Sequence, residues 1–302
     1  MAGRSSTYRT FLLGTVLIFA LALVLVAVRG SGGLFGRLDI RWRPVVGLVE
    51  VEGVISSSER IVGLIDDYAS RGDVKALLVK INSPGGIVVS SDEIYRALLR
   101  ARHEHGKPVV AYMGSVAASG GYYVACAADS IVAHPGSTTG SIGVIVEYPV
   151  AAELFEKLGI RWEIITTGPY KNMGSPFEEP TERHRAWFEE VVNDTYEQFL
   201  AVVRTNRNLD EDDLQRYADG RIFTGRQAVK WGFADRTGDF HDARALVGRM
   251  AGLGEDPRLV RPQRPRRLTM WDLLLGRVGI EEIKKELGLG PLDGPRVLYL
   301  MR

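Results

Sequence analysis

The stretch VKALLVKIN at residues 74–82 is apolar almost throughout and runs straight into the turn Ser83-Pro84-Gly85-Gly86. A strand apolar on successive residues has to be covered on both faces, as parallel strands inside a layered α/β sheet are. The same rhythm recurs along the chain. PVVGLVEVEGVI (44–55), PVVAYMG (108–114), SIVAHPG (130–136), SIGVIVEY (141–148) and RWEIITTG (161–168) read as strands. Helices are expected at about 59–68, 91–103 and 150–158, with Ser90 or Ser91 capping the second and Asp92 and Glu93 in its first turn. This alternation predicts an α/β domain with a largely parallel sheet.

Beyond Thr181, read as an N-cap, one long helix is expected to about Asn206. Its stripe of Phe188, Val192, Tyr196, Phe199 and Val203 reads as core packing. Shorter helices follow near 210–218 and 225–231. PRLVRPQRPRR (257–267), with three prolines and five arginines, reads as a linker or basic arm. An amphipathic helix at 268–288 and a terminal strand in PRVLYLMR complete the reading.

Phe11 to Val28 is an uncharged apolar run of 18 residues, which just meets the length needed to cross a bilayer. Its only A-x-A match, Ala20-Leu21-Ala22, lies inside the run, so an uncleaved anchor is expected rather than a signal peptide. GSGGLFG (30–36) reads as a linker. Three regions follow: residues 1–43 as anchor and linker, 44–256 as the chemical domain, and 257–302 as a basic tail.

The net charge of +1 conceals an asymmetry. Residues 1–43 hold six arginines against one aspartate, and 257–302 hold ten Lys/Arg against five Asp/Glu, so the body is acidic. An acidic body argues against a nucleic-acid partner, whereas basic ends suit a membrane surface. The single cysteine, Cys126, rules out an intrachain disulfide and a cysteine zinc cage, and its alanine neighbours point to a buried structural thiol.

The chemistry centres on Ser119, set between Ala117-Ala118 and Gly120-Gly121 at the start of the helical stretch SGGYYVACAAD. A serine there meets unpaired amides and the positive end of the helix dipole, so it reads as a nucleophile or as a plain N-cap. The NSPGG turn after the 74–82 strand can present amides at the sheet's C-terminal edge, and with the Gly120 amide it would form a two-donor oxyanion hole. A purely structural turn is the other reading. No G-x-x-x-x-G-K-[ST] is present, so this is not that type of phosphate loop.

A serine nucleophile needs a proton acceptor. His103 and His105 lie in a charged helix end, His184 in the polar TERHR, and His241 beside Asp239 and Asp242 at an expected exposed helix start. His134, ending a strand beside a glycine turn, is the histidine candidate, without an acidic sequence neighbour to orient it. Lys171, in TTGPYKNMGSP among uncharged neighbours, is the other; a buried lysine can lose its proton and act as a general base.

Taken together, NSPGG, AASGGYY, TGSIGV, GPYKNMGSP and the later ADGRIFTGRQAVKWGFAD resemble the signal peptide peptidase A family of membrane-anchored bacterial serine endopeptidases, over about Val45 to Gly248. The length matches its short, single-domain form. The resemblance implies a Clp protease/crotonase-like α/β superfold behind an N-terminal transmembrane helix. It implies Ser119 as nucleophile, Lys171 as general base, Ser141 as the residue orienting the lysine, and the Gly86 and Gly120 amides as the oxyanion hole. An extended peptide would pair with the edge formed by Gly85, Gly86 and Ile87. No cofactor or metal is implied. The implied partners are remnant signal peptides, the bilayer, and further copies of the chain in a ring where serine and lysine meet across a protomer boundary. The implied location is the cell membrane, with the catalytic domain extracytoplasmic. A crotonase-type acyl-CoA enzyme, a related membrane protease with other clients and a non-catalytic scaffold are the rival readings.

Overall fold

The structure is a computed structural model and describes residues 43–261 and 296–300. The expected anchor at 11–28, the linker at 30–36 and the helix at 268–288 therefore lie outside the described residues. Among the described residues no helix is long and apolar enough to cross a membrane.

Six parallel strands form the main path of the larger sheet. In spatial order they are β10 (Leu259–Val260), β1 (Val45–Glu52), β2 (Val74–Ser83), β4 (Val109–Ala118), β5 (Ser130–Ala133) and β9 (Arg236–Thr237). Beyond the end of β5, β6 (Thr138–Gly140) takes over as the partner of β4, pairing Ala118 with Gly140, and then pairs antiparallel with β8 (Ile222–Thr224). A second sheet holds β3 (Gly85–Ile87), β11 (Arg296–Leu300) and β7 (Ile145–Glu147), in that order.

The apolar strands are covered on both faces, as their sequence requires. Val49, Leu77, Val79 and Val109 face one layer, packed by α1 (Glu59–Ser70), α2 (Val88–His103), α3 (Gly120–Ala125) and α5 (Glu182–Asn206). The alternate residues Leu48, Ala76, Leu78 and Val110 face the other, packed by α8 (Phe240–Met250). Three short helices complete the set: α4 (Ala152–Lys157), α6 (Glu211–Tyr217) and α7 (Gly225–Lys230).

Four sequence expectations need correction. RWEIITTG forms no strand: residues 161–168 carry no ladder, and Ile165 is 91% exposed. A strand exists only where another backbone completes its hydrogen bonds, and no other described segment pairs with this one. The 141–148 strand is shortened to β7, because Ser141 adopts a positive φ of 50°. Helix α2 starts at Val88, so Ser90 and Ser91 sit inside its first turn and Ile87 stands at the N-cap; the acidic pair falls beyond that turn. The long-helix stripe is core only in its C-terminal half. Phe199 and Val203 are buried, whereas Phe188 lies tilted against the Tyr148 ring outside the main core.

Candidate active site

Strands β4 and β6 run parallel and end together, so Ser119 and Ser141 follow directly on the paired residues Ala118 and Gly140. The Ser119 amide donates to the Gly140 carbonyl at 2.8 Å, which ties the two strand ends to each other. Ser119 (φ 52°, ψ −119°) and Ser141 are the two non-glycine residues with positive φ among the described residues. Side chains resist that region, at a cost of about 1–3 kcal/mol, and such strain collects at functional sites.

Ser119 occupies the N-cap position of α3, yet its side chain caps nothing. The hydroxyl is fully buried and, among the described residues, has no hydrogen-bond partner, a condition it shares with the Ser137 hydroxyl. A plain N-cap role would place a bond from a backbone amide on that oxygen. Instead the backbone is strained and the hydroxyl is unpaired among the described residues, so a plain N-cap role does not account for it.

The glycine turn lies against this serine. A Cβ on Gly120 would come within 3.2 Å of the Gly86 amide nitrogen and 2.5 Å of the Ser91 hydroxyl, so only glycine permits the approach. The Ser91 hydroxyl is in turn fixed by donating to the Ile87 carbonyl at 3.0 Å. Gly86 itself packs on Ile55, whose carbonyl would meet a Cβ at 2.2 Å. Ile55 bonds Gly85 and Ile87, through Ile55 N–H to the Gly85 carbonyl and Ile87 N–H to the Ile55 carbonyl, each at 2.8 Å. Alternation along an extended backbone turns the Gly86 N–H the other way, off the Ile55 side. The NSPGG turn is thus more than a reversal of direction: it sets the Gly86 amide beside Gly120.

The proton acceptors separate clearly. His134 is exposed, and its Nδ1 accepts the Gly136 amide at 3.2 Å, so it makes no bond with the buried Ser119 hydroxyl. His103, His105 and His241 are exposed. Lys171 is exposed on the segment between α4 and α5, and among the described residues its ammonium makes no hydrogen bond or ion pair. Ser119 and Lys171 therefore make no hydrogen bond to each other within one chain. Ser141 lines an open cleft of about 560 Å³, together with Gly143, Val192, Tyr196 and Asp219.

His184 was read only as part of a polar stretch, and here the structure differs. It is buried, and its Nε2 lies 2.6 Å from the Pro169 carbonyl, two residues ahead of Lys171. Thr181 caps α5 by accepting the His184 amide at 3.2 Å, and this first turn aims the imidazole back at the preceding loop. The readable signal was its place three residues after an N-cap threonine. Cys126 is fully buried, and burial pushes its thiol up to about 12, in keeping with a structural role. Asp239, His241 and Asp242 come together at the start of α8, where Asp239 and Asp242 form its capping box.

Comparison with known proteins gives a consistent picture. The model of peptidase family S49 matches residues 101–253. A candidate protease of Synechocystis is 38% identical over 71% of this chain and 77% of its own length. A candidate signal peptide peptidase SppA of Enterococcus faecium is 38% identical over 56% of this chain and 49% of its own. The chloroplastic serine protease SPPA of Arabidopsis thaliana is 32% identical over 80% of this chain, which corresponds to 35% of that longer protein.

Proposed function

The chain belongs to peptidase family S49 and is a serine peptidase of the signal peptide peptidase SppA family, and from that premise we propose that it is a membrane-anchored endopeptidase working through a Ser119–Lys171 dyad. Its fold is read as the Clp protease/crotonase-like superfold, and its substrates as remnant signal peptides cleaved at the membrane. Residues 11–28 would hold it in the bilayer, with residues 44–256 as the catalytic domain on the extracytoplasmic side and 257–302 as a tail.

The observation that carries the site assignment is the strain at Ser119 and Ser141, the two side-chain-bearing residues with positive φ, side by side at the ends of β4 and β6. In this reading neutral Lys171 takes the Ser119 proton as Oγ attacks a peptide carbonyl, and the Gly86 and Gly120 amides hold the oxyanion. The lysine then protonates the leaving amine, and water releases the acyl group. The substrate lies extended along Gly85, Gly86 and Ile87.

The lysine comes from a neighbouring copy. Lys171 is exposed and the Ser119 hydroxyl is unpaired, which supports a dyad completed across a protomer boundary. The cleft beside Ser141 supplies space for a partner's loop. The apolar residues Trp162, Ile165, Tyr170 and Trp187 stand exposed around that loop, a surface of the kind that protein partners cover.

The test is hydrolysis of fluorogenic peptides. Ser119→Ala and Lys171→Ala each abolish turnover, and His134→Ala leaves it near wild type. Mixing the two dead variants restores part of the activity, since some contacts pair an intact serine with an intact lysine. Full activity in Ser119→Ala, or loss of activity in His134→Ala without loss of folding, overturns the dyad. Turnover of acyl-CoA thioesters in place of peptides would favour the crotonase-type reading.

A further inference from the structure

The turn Ala218-Asp219-Gly220-Arg221, between α6 and β8, backs onto Ser141. The Ser141 amide donates to the Arg221 carbonyl at 2.8 Å, and the Gly220 amide donates to the Ile142 carbonyl at 3.0 Å. One residue earlier, Gly140 pairs with Ile222, and a Cβ on it would meet the Phe223 ring at 2.5 Å and the Arg221 carbonyl at 2.9 Å. Two hydrogen bonds and a ladder pair thus fasten the backbone on both sides of the strained Ser141. Asp219 also lines the cleft beside that serine. Its carboxylate is fully engaged. Arg221 donates from Nε to one oxygen at 2.7 Å and from a terminal nitrogen to the other at 2.6 Å, and the Arg221 amide donates to the first at 3.2 Å. The guanidinium lies 5.9 Å from the centre of the Tyr217 ring, and Tyr217 stacks on Trp231.

We infer that Asp219 and Arg221 are positioning residues for the reaction: their turn fixes Ser141, and their mutual neutralisation keeps the cleft that receives the lysine free of net charge. The inference rests on the reading of Ser119 and Lys171 as a dyad in which Ser141 orients the lysine. A general-base lysine has to be neutral when it takes the serine proton, and a bare carboxylate nearby favours its ammonium form. Asp219 is the one carboxylate on the cleft wall among the described residues. Its hydrogen bonds from Arg221 hold it below the ordinary carboxylate range, so it carries its charge whenever the lysine is titrating. Arg221 is the cation that balances that charge.

The other charged and titratable groups nearby have partners of their own. The second titratable group on the cleft wall is the Tyr196 phenol of α5, which burial raises above its ordinary value and which donates to the Ala218 carbonyl. On the same helix Arg204 pairs with Glu197 at 3.7 Å and with Glu211 of α6 at 2.8 Å. On the loop that carries Lys171, Asn172 donates to the Glu178 carboxylate. The Asp219–Arg221 pair is thus the place where removing one side chain leaves a net charge against the cleft. Both side chains are about half exposed, so the effect is moderate and falls with salt.

The test is the pH profile of kcat/KM for the full-length chain on a fluorogenic peptide at low ionic strength. Activity rises with pH as the lysine loses its proton, so the acid limb reports the base. Arg221→Leu leaves the carboxylate bare and is expected to move that limb up by about 0.5 pH unit. Asp219→Asn leaves the guanidinium bare and is expected to move it down by about as much. The double variant brings the limb back, Arg221→Lys holds it near the wild-type position, and salt at about 1 M shrinks both shifts. A purely structural role would lower kcat without moving the limb in opposite directions. Limbs that stay in place in the folded single variants, or that move the same way, overturn the inference. Where melting shows that Arg221→Leu does not fold, Asp219→Asn and Arg221→Lys decide: an unmoved limb in the first, or an upward shift in the second, overturns it. Full turnover in Lys171→Ala would overturn the dyad reading itself. Loss of turnover in Lys171→Ala together with unmoved limbs overturns this inference alone.

Discussion

At Ser119 the chain accepts strain for geometry. A φ of 52° with a ψ of −119° suits glycine, and serine there costs about 1–3 kcal/mol. Ser119→Gly relieves that cost but gives back about 0.4–1 kcal/mol through the freer unfolded chain. The net expectation is a gain of about 1 kcal/mol in stability together with complete loss of peptidase activity. Thermal melting and a peptide assay on one preparation check both. Ser119→Ala, which keeps the strain but removes a buried unpaired hydroxyl, should lose activity and gain stability only through the loss of that hydroxyl. His184 is the second residue to test. Its bond to the Pro169 carbonyl ties down the loop that carries Lys171, so on the proposed dyad it would act as a positioning residue. His184→Ala is expected to lower kcat about tenfold or more with little change in KM, and His184→Gln, whose amide nitrogen reaches a similar point, to recover part of the loss. A rise in KM with unchanged kcat would show that the loop serves binding and not proton transfer.

At the scale of elements, an ion pair joins the C-terminal end of α5 to the strands on the far side of the sheet. Arg207 is buried and bonds Asp235 through both terminal nitrogens, at 2.8 and 3.1 Å, while Asp235 also accepts the Ile131 amide at 2.7 Å. Burial works to raise the Asp235 carboxyl, but the Arg207 bonds and the Ile131 amide hold it below its ordinary value. A carboxyl depressed in the fold contributes stability above its unfolded value near 3.9 and loses that contribution as the pH falls through its folded value. Asp235→Ala leaves a buried guanidinium unpaired and is expected to cost about 3 kcal/mol at neutral pH. The gap to wild type should begin to narrow below about pH 4, where the unfolded chain's carboxyl takes up its proton, and should be lost as the pH falls through the lower folded value. Denaturant titrations at pH 7 and pH 3 measure it; an equal gap at both would mean that the loss is one of packing.

For the whole molecule, the exposed apolar residues between α4 and α5 are the surface that the proposed assembly would cover. Trp162 is 52% exposed and stacks on Phe177 at 4.1 Å, while Ile165 touches almost nothing of its own chain. Burying such side chains contributes roughly 1.5–3 kcal/mol each toward association with a second copy. The double variant Trp162→Lys, Ile165→Lys is expected to shift sedimentation toward monomer and to lower specific activity in parallel. In wild type, specific activity should fall on dilution as assembly is lost. Full activity from a monomeric species would place the dyad inside one chain.

Local chemistry made much of this legible from residues alone. Continuous apolar runs require cover on both faces, which is why β1, β2 and β4 were readable. The small residues around Ser119 and the paired glycines of NSPGG signal close backbone approach, which is why the packing of those two turns on each other was readable too. Burial of Cys126 among alanines followed the same logic. What local chemistry does not contain is the partner of each backbone. RWEIITTG has strand-like residues and no edge to join, whereas the terminal strand joined an edge that nothing in PRVLYLMR specifies. The strain at Ser119 and Ser141 arises where two strands end side by side, and the burial of His184 where a helix start folds back on a loop. Such properties come from contacts between residues far apart in sequence, and only the tertiary structure decides them.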